Sequence, residues 1–302
     1  MDVCVSPLRV SKLTERMRDV LHERAFPPSI AASLAGKLQF TLSWMFGRLG
    51  RACLQPLYSP SSYGLPPAVA TSLRFLCEVL PWLPPHQISL CEDSTPPCLV
   101  WSDGACEGRG ACQDIGFLAL IPKTGAVFPS DTEKSGLPER LAYLRRNFTA
   151  MHGAAAIPQE LRDIFLSRRQ YIGQDEIVGA ICPYLSVPEL AGKKVIHWID
   201  NTSALAALTK GFSRMCDSAS LVHAFHAWNT GARADVWFDW VPSKSNPADE
   251  PSRDLSLADR LWECAPGIVS QPVEAVFPSI RELDDPQRWI RCARLAPPTE
   301  AE

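Results

Sequence analysis

VIHWIDNTSALAALTKG, residues 195–211, reads as one strand, one acid and one helix in direct succession. Val195, Ile196, Trp198 and Ile199 are β-branched or aromatic, the composition of a strand that packs on both faces. Asp200 closes that run and Asn201 is suited to cap the next helix. The Ala- and Leu-rich residues 204–210 favour helix, and Gly211 stands where a helix stops. A strand that runs straight into a helix is a building unit of an α/β sheet. A carboxylate at the end of a buried strand is costly unless something neutralises it, so Asp200 calls for a cation nearby.

Working outward, the same grammar recurs. CLVWSDGAC (98–106) and IGFLALIP (115–122) are apolar runs separated by a turn-rich segment, the pattern of an antiparallel hairpin, and GAVFPS (125–130) predicts a third short strand. Residues 131–168 read as irregular and partly helical. RRQYIGQDEIVGAICPYL (168–185) predicts an amphipathic helix, SASLVHAFHAWNTGA (218–232) a further helix, and ADVWFDWVPS (234–243) the last strand. This succession predicts a mixed sheet covered by helices. Trp198, Trp237 and Trp240 read as core residues of their strands.

The chain has 302 residues, 46% of them hydrophobic and 21% charged, which argues against disorder throughout. A formal charge of −3 excludes a wholesale basic nucleic-acid binder but permits a local basic groove. Residues 1–60 carry eight Lys/Arg against four Asp/Glu, so the basic charge is concentrated at the start. No run reaches a membrane-spanning length, and MDVCVSPLRV lacks a secretion pattern; the expectation is an intracellular protein, cytoplasmic or nuclear, without a membrane partner. Eleven cysteines without a CxxC pair read mostly as buried thiols in a reducing compartment, and His223 and His226 as core histidines rather than ligands. Helices are expected over SKLTERMRDVLHER (11–24) and from Ser29 through to Tyr58. The expected division is a helical region 1–60, a Pro-rich connection 61–97, a sheet domain 98–255 with an insertion at 131–168, and a tail 256–302.

Four acids border elements of the sheet domain. Asp103 follows LVW, Asp200 follows VIHWI, Glu176 lies mid-helix between Ile172 and Ala180 on one face, and Asp249 sits in NPADEPSR after the last strand. Clustered carboxylates repel, and one of them keeps its proton unless divalent cations bind between them. All-oxygen ligation suits Mg²⁺ or Mn²⁺. Two such ions about 4 Å apart activate a water and stabilise the leaving oxygen of a phosphodiester.

WSDGAC, QYIGQDEIVGAI, VIHWIDNTSALAALTKGFSR and WVPSKSNPADEPSR together resemble the ribonuclease H domain of reverse transcriptases, most closely those of DIRS-like and related long-terminal-repeat retroelements. The resemblance covers about residues 98–255, and IDNTSALAALTKG is its most specific part. It implies a ribonuclease H-like α/β fold, a mixed five-stranded sheet flanked by helices. It also implies two-metal hydrolysis of the RNA strand of an RNA–DNA hybrid, with Asp103, Glu176, Asp200 and Asp249 as catalytic metal ligands and two Mg²⁺ or Mn²⁺ ions as the cofactors. SLAGKLQFTLSWMFGRLGRACLQPLY (33–58) resembles the segment that follows the polymerase palm. No Tyr-x-Asp-Asp motif occurs, so the N-terminal region is expected to be a remnant of the thumb and connection, with the polymerase part as a partner and no DNA synthesis by this chain.

Two departures from the family stand out: no His lies between Val241 and Arg253, where Lys244 is the basic residue before Asp249, and 131–168 replaces a short turn. Asp175 is the runner-up to Glu176, but a helical step of about 100° aims it elsewhere. Asn201 and Thr202 can reach substrate, although capping the following helix is the simpler role for Asn201. Arg109, Arg168 and Arg169 can meet backbone phosphates. The competing expectation is a catalytically retired module that binds nucleic acid or acts as a scaffold.

Overall fold

Hydrophobic strand sequence flanked by small turn residues builds the sheet of this protein. The computed structural model describes residues 2–3, 5–58, 64–84, 86–87, 94–105, 114–167, 171–253 and 270–280. In chain order the elements begin with β1 (Asp2–Val3), α1 (Pro7–Glu23), α2 (Pro28–Ser43), α3 (Pro67–Val79) and β2 (His86–Gln87). The central part holds β3 (Cys98–Gly104), β4 (Ile115–Pro122), α4 (Asp131–Lys134), α5 (Leu137–Asn147), β5 (Phe148–Ala155), α6 (Gln159–Arg162), α7 (Ile172–Ser186) and β6 (Lys194–Ile199). The chain continues through α8 (Thr202–Lys210), α9 (Cys216–Ala232), β7 (Asp235–Trp240), α10 (Asp249–Arg253) and β8 (Ser270–Pro272). Two compact units result, one of residues 1–90, 210–233 and 279–302, the other of 91–209 and 234–278.

The first unit is helical. The Ser6 hydroxyl accepts from the Arg9 backbone N–H and Pro7 opens α1, whose Leu13, Met17 and Val20 turn one face inward. The expected long second helix stops at Ser43 instead of continuing to Tyr58. Gly47 and Gly50 adopt φ of +77° and +90°, which an α-helix excludes, and the chain resumes as a tight 3₁₀ turn over Ala52–Tyr58. The helix α3, in the Pro-rich stretch, buries Val69, Leu73, Leu76 and Val79. α9 belongs to this unit, with His223 and His226 buried in it. No helix among the described residues is long and apolar enough to cross a membrane.

The second unit is α/β. Six strands form one mixed sheet in the order β7-β6-β3-β4-β5-β8. β3, β4 and β5 run antiparallel in sequence, whereas β6 is parallel to β3, β7 to β6 and β8 to β5. The sixth strand, β8, corrects the five-stranded expectation. The third strand also differs: 125–130 is irregular and Phe148–Ala155 pairs with β4, inside the stretch read as an insertion. Its Gly153 faces the Phe117 ring at a spacing that leaves no room for a β-carbon. Beside it, Leu120, Tyr143, Phe148 and Ala150 form a cluster against which Leu99, Trp101, Leu141 and Leu144 pack.

The helix α7 lies across β3 and β4. It is buried from Gln174 to Tyr184 without interruption, so it lacks the exposed polar face of the amphipathic helix expected from its sequence. β7 forms the edge of the sheet, and there Trp237 and Trp240 are 69% and 50% exposed rather than core residues. Trp198 stacks on Trp101 with ring centroids 4.8 Å apart.

Candidate metal centre

Strand register brings the first two acids together. β3 and β6 are parallel neighbours with Ser102 opposite Ile199, so the next residues, Asp103 and Asp200, leave adjacent strands at the same level. Gly104 and Gly179 then seat α7. A β-carbon at Gly179 would stand 2.5 Å from the Asp103 carbonyl oxygen, and one at Gly104 would overlap the Glu176 backbone. The two glycines therefore let the helix approach the strand closely enough for Glu176 to join Asp103.

Asp103, Glu176 and Asp200 each present a carboxylate oxygen within 4.8 Å of the others. Asp103 and Glu176 are 4% and 5% exposed. Burial first, then the charges of Asp103 and Asp200, push the Glu176 carboxyl up to about 9, against a hydrogen bond from the Gly104 backbone that favours the charged form. Without a cation, Glu176 therefore holds its proton at neutral pH. Glu176 Oε2 and Asp200 Oδ1 are buried without a hydrogen-bond partner among the described residues. Buried carboxylate oxygens lacking donors, converging on one point, fit a hard divalent cation, and this cluster can hold a metal ion.

The surroundings fix the cluster. Asn201 Oδ1 accepts from the backbone N–H groups of Ser203 and Ala204 at 3.0 and 3.1 Å, capping α8 directly behind Asp200. Gly211, at φ +67°, ends the helix. Trp240 Nε1 donates to the Asp200 carbonyl at 3.0 Å. Where α7 covers β3, Ser102 Oγ lies 2.8 Å from His197 Nε2, and Tyr184 Oη lies 3.0 Å from His197 Nδ1. Burial pulls His197 down to about 3, so this bridge between β3, β6 and α7 is a neutral one.

Asp249 stands apart from the converging three. It opens α10, its backbone N–H donating to the Asn246 carbonyl at 3.2 Å. Asn246 is tied in turn to the Ser102 carbonyl at 3.0 Å. α10 packs against Gly116, the residue paired with Asp103 across the hairpin. This places Ser252 so that its hydroxyl donates to Asp103 Oδ2, a contact that sequence reasoning missed. Its signal was the position one turn after Asp249, in a segment already expected to return to the site.

Asp175 points away, as the helical step requires. It is fully buried and lies 3.5 Å from Arg162, whose other terminal nitrogen is 2.8 Å from Asp114. Thr202 is exposed at the start of α8, and Lys244 is exposed in the loop before α10. Arg109, Arg168 and Arg169 lie outside the described residues. Compared with known proteins, the chain matches no family model, no curated protein and no solved structure.

Proposed function

We propose that this chain is a retroelement-derived ribonuclease H that hydrolyses the RNA strand of RNA–DNA hybrids with Mg²⁺ or Mn²⁺. The observation that carries the reading is the convergence of Asp103, Glu176 and Asp200 within 4.8 Å, with Glu176 Oε2 and Asp200 Oδ1 buried and lacking donors. The strand order β7-β6-β3-β4-β5 and the sequence resemblance are consistent with a ribonuclease H-like sheet. Asp103, Glu176 and Asp200 would hold the metal, and Asp249, which opens the adjacent α10, would be the fourth ligand that the resemblance implies. A bound pair of divalent cations supplies an activated water and stabilises charge on the leaving oxygen.

The chain's own residues prepare that site. Glu176 releases its proton when a cation arrives, and Asn201 and Trp240 hold the backbone around Asp200. Thr202, two residues after Asp200, and Lys244, in the loop before α10, are exposed, and in this reading they meet the sugar and phosphate of a hybrid that is recognised by shape and 2′-hydroxyls. The partners in this reading are the hybrid and the polymerase part of a reverse transcriptase, inside the cell.

A second reading, a retired nucleic-acid-binding or scaffold module, draws on two observations. Ser252 already engages Asp103, and Asp249 lies outside the converging group. The test is cleavage of a labelled RNA–DNA hybrid with Mg²⁺ or Mn²⁺, beside single-stranded RNA and duplex DNA, with Asp103→Asn as control. Cleavage of hybrid RNA by the wild type alone supports the enzyme; folded protein that cuts nothing with either metal refutes it.

A further inference from the structure

The helical unit contains a cavity of about 590 Å³ lined by Arg51, Lys210 and Arg214 together with Tyr58 and Phe212. The described lining includes no carboxylate, and among the described residues none of the three cations forms an ion pair. Burial depresses the pKa of Arg51, and burial together with the Arg51 charge depresses that of Arg48. Positive charge is thus held in a partly desolvated place without an internal counter-charge, and an anion relieves it.

The aromatic side is preset. Tyr58 is 46% exposed and meets Phe212 edge-on, with centroids 5.5 Å apart. The Tyr58 hydroxyl donates to Gln39 Oε1 at 2.7 Å, and Gln55 Nε2 donates to the Arg214 carbonyl at 3.1 Å. These bonds hold the ring and the Arg214 segment in place before any ligand arrives. Cations for phosphate and an exposed ring for stacking together match the chemistry of a nucleotide, and the volume lies within the range of small-molecule sites.

We propose that this cavity binds one nucleotide unit of a single-stranded nucleic acid, with its phosphates against Arg51, Lys210 and Arg214 and its base on Tyr58. The cations come from two segments, Arg51 from one and Lys210 and Arg214 from the end of α8 and the turn after it, and Lys210 and Arg214 are exposed, an arrangement suited to successive phosphates of a strand. No divalent cation takes part, so the site stands independently of the carboxylate cluster.

The experiment is fluorescence anisotropy of the full chain with labelled oligothymidylate and oligouridylate in EDTA, across a salt series. Unlabelled oligonucleotide, AMP and inorganic phosphate serve as competitors. Lys210→Glu with Arg214→Glu changes exposed positions, so the fold persists; affinity is expected to fall about tenfold or more and the salt slope to shrink by about 0.7 per lost phosphate contact. Tyr58→Ala is expected to lose roughly five-fold while Tyr58→Phe, which keeps the ring, stays near wild type. Absence of oligonucleotide binding by the wild type overturns the proposal, as does a charge reversal that leaves affinity and salt slope unchanged. Stronger competition by AMP or phosphate than by the oligonucleotide overturns it in favour of a free-nucleotide or simple anion site.

Discussion

Gly179→Ala sets two effects of known sign against each other. Inside a helix, Ala is favoured over Gly by ~1 kcal/mol, so propensity alone predicts a more stable protein. The β-carbon would stand 2.5 Å from the Asp103 carbonyl oxygen, whereas ordinary contact begins at 3.4 Å. The backbone on that side cannot rotate away as a side chain can, so α7 must retreat from β3 by about 1 Å, at an overpacking cost of ~1–3 kcal/mol. The net expectation is a loss of about 1 kcal/mol. The retreat also carries Glu176, one turn earlier on the same helix, away from Asp103. A displacement of about 1 Å at a reacting centre costs on the order of 100-fold in rate, and Mn²⁺ affinity falls with it. Urea unfolding and Mn²⁺ titration read the two effects separately. Gly173→Ala, on the same helix with open space around it, is the control and should lose neither stability nor affinity. A Gly179→Ala protein as stable as wild type, with unchanged Mn²⁺ affinity, refutes the seating argument.

Three further outcomes rest on the same geometry. Because Glu176 is raised to about 9, the cation-free native chain keeps a proton that the unfolded chain releases near the ordinary carboxylate value; stability in EDTA therefore falls with rising pH in that window by about 1.4 kcal/mol per unit from this group. Glu176→Gln should remove that slope in urea unfolding at pH 5.5 and 8, and equal slopes in the two proteins contradict the assignment. Ser252→Ala deletes the hydroxyl that donates to Asp103 and should cost ~1.5–3 kcal/mol in EDTA by urea unfolding; no loss would mean the bond is not formed in solution. Tyr184→Phe leaves His197 Nδ1 buried without its partner and should cost ~1–3 kcal/mol, whereas an unchanged denaturation midpoint would show that the Ser102–His197–Tyr184 bridge does not hold β3 and β6 to α7.

The sheet was legible where strands announce themselves by β-branched and aromatic runs, as in 98–104, 115–122, 194–199 and 235–240. Phe148–Ala155 was hidden because half of its residues are Ala or Gly, which carry little strand signal, although the Phe117 ring leaves Gly153 no room for a β-carbon. β8 is three residues long and exists through its pairing with β5, which no local pattern reveals. The exposure of Trp237 and Trp240 follows from β7 being an edge strand, a property of sheet order rather than of strand composition. At the site, Asp103 and Asp200 were readable as acids closing apolar strands. Glu176 was readable as an acid mid-helix, but its burial depends on Gly104 and Gly179, whose role appears once two elements are packed. Ser252 was legible only through its position one turn after Asp249, because a lone serine within a short helix has no periodic or compositional signature of its own.

The most direct measurement is calorimetric titration of the full chain with Mn²⁺ at neutral pH, for wild type and for Asp103→Asn, with unfolding curves showing both proteins folded. If the three carboxylates form one cation site, the wild type binds with release of a proton from Glu176, and Asp103→Asn weakens affinity by about tenfold or more. Equal affinity in the two proteins, or the absence of binding by the folded wild type, contradicts the metal centre and with it the proposed hydrolase.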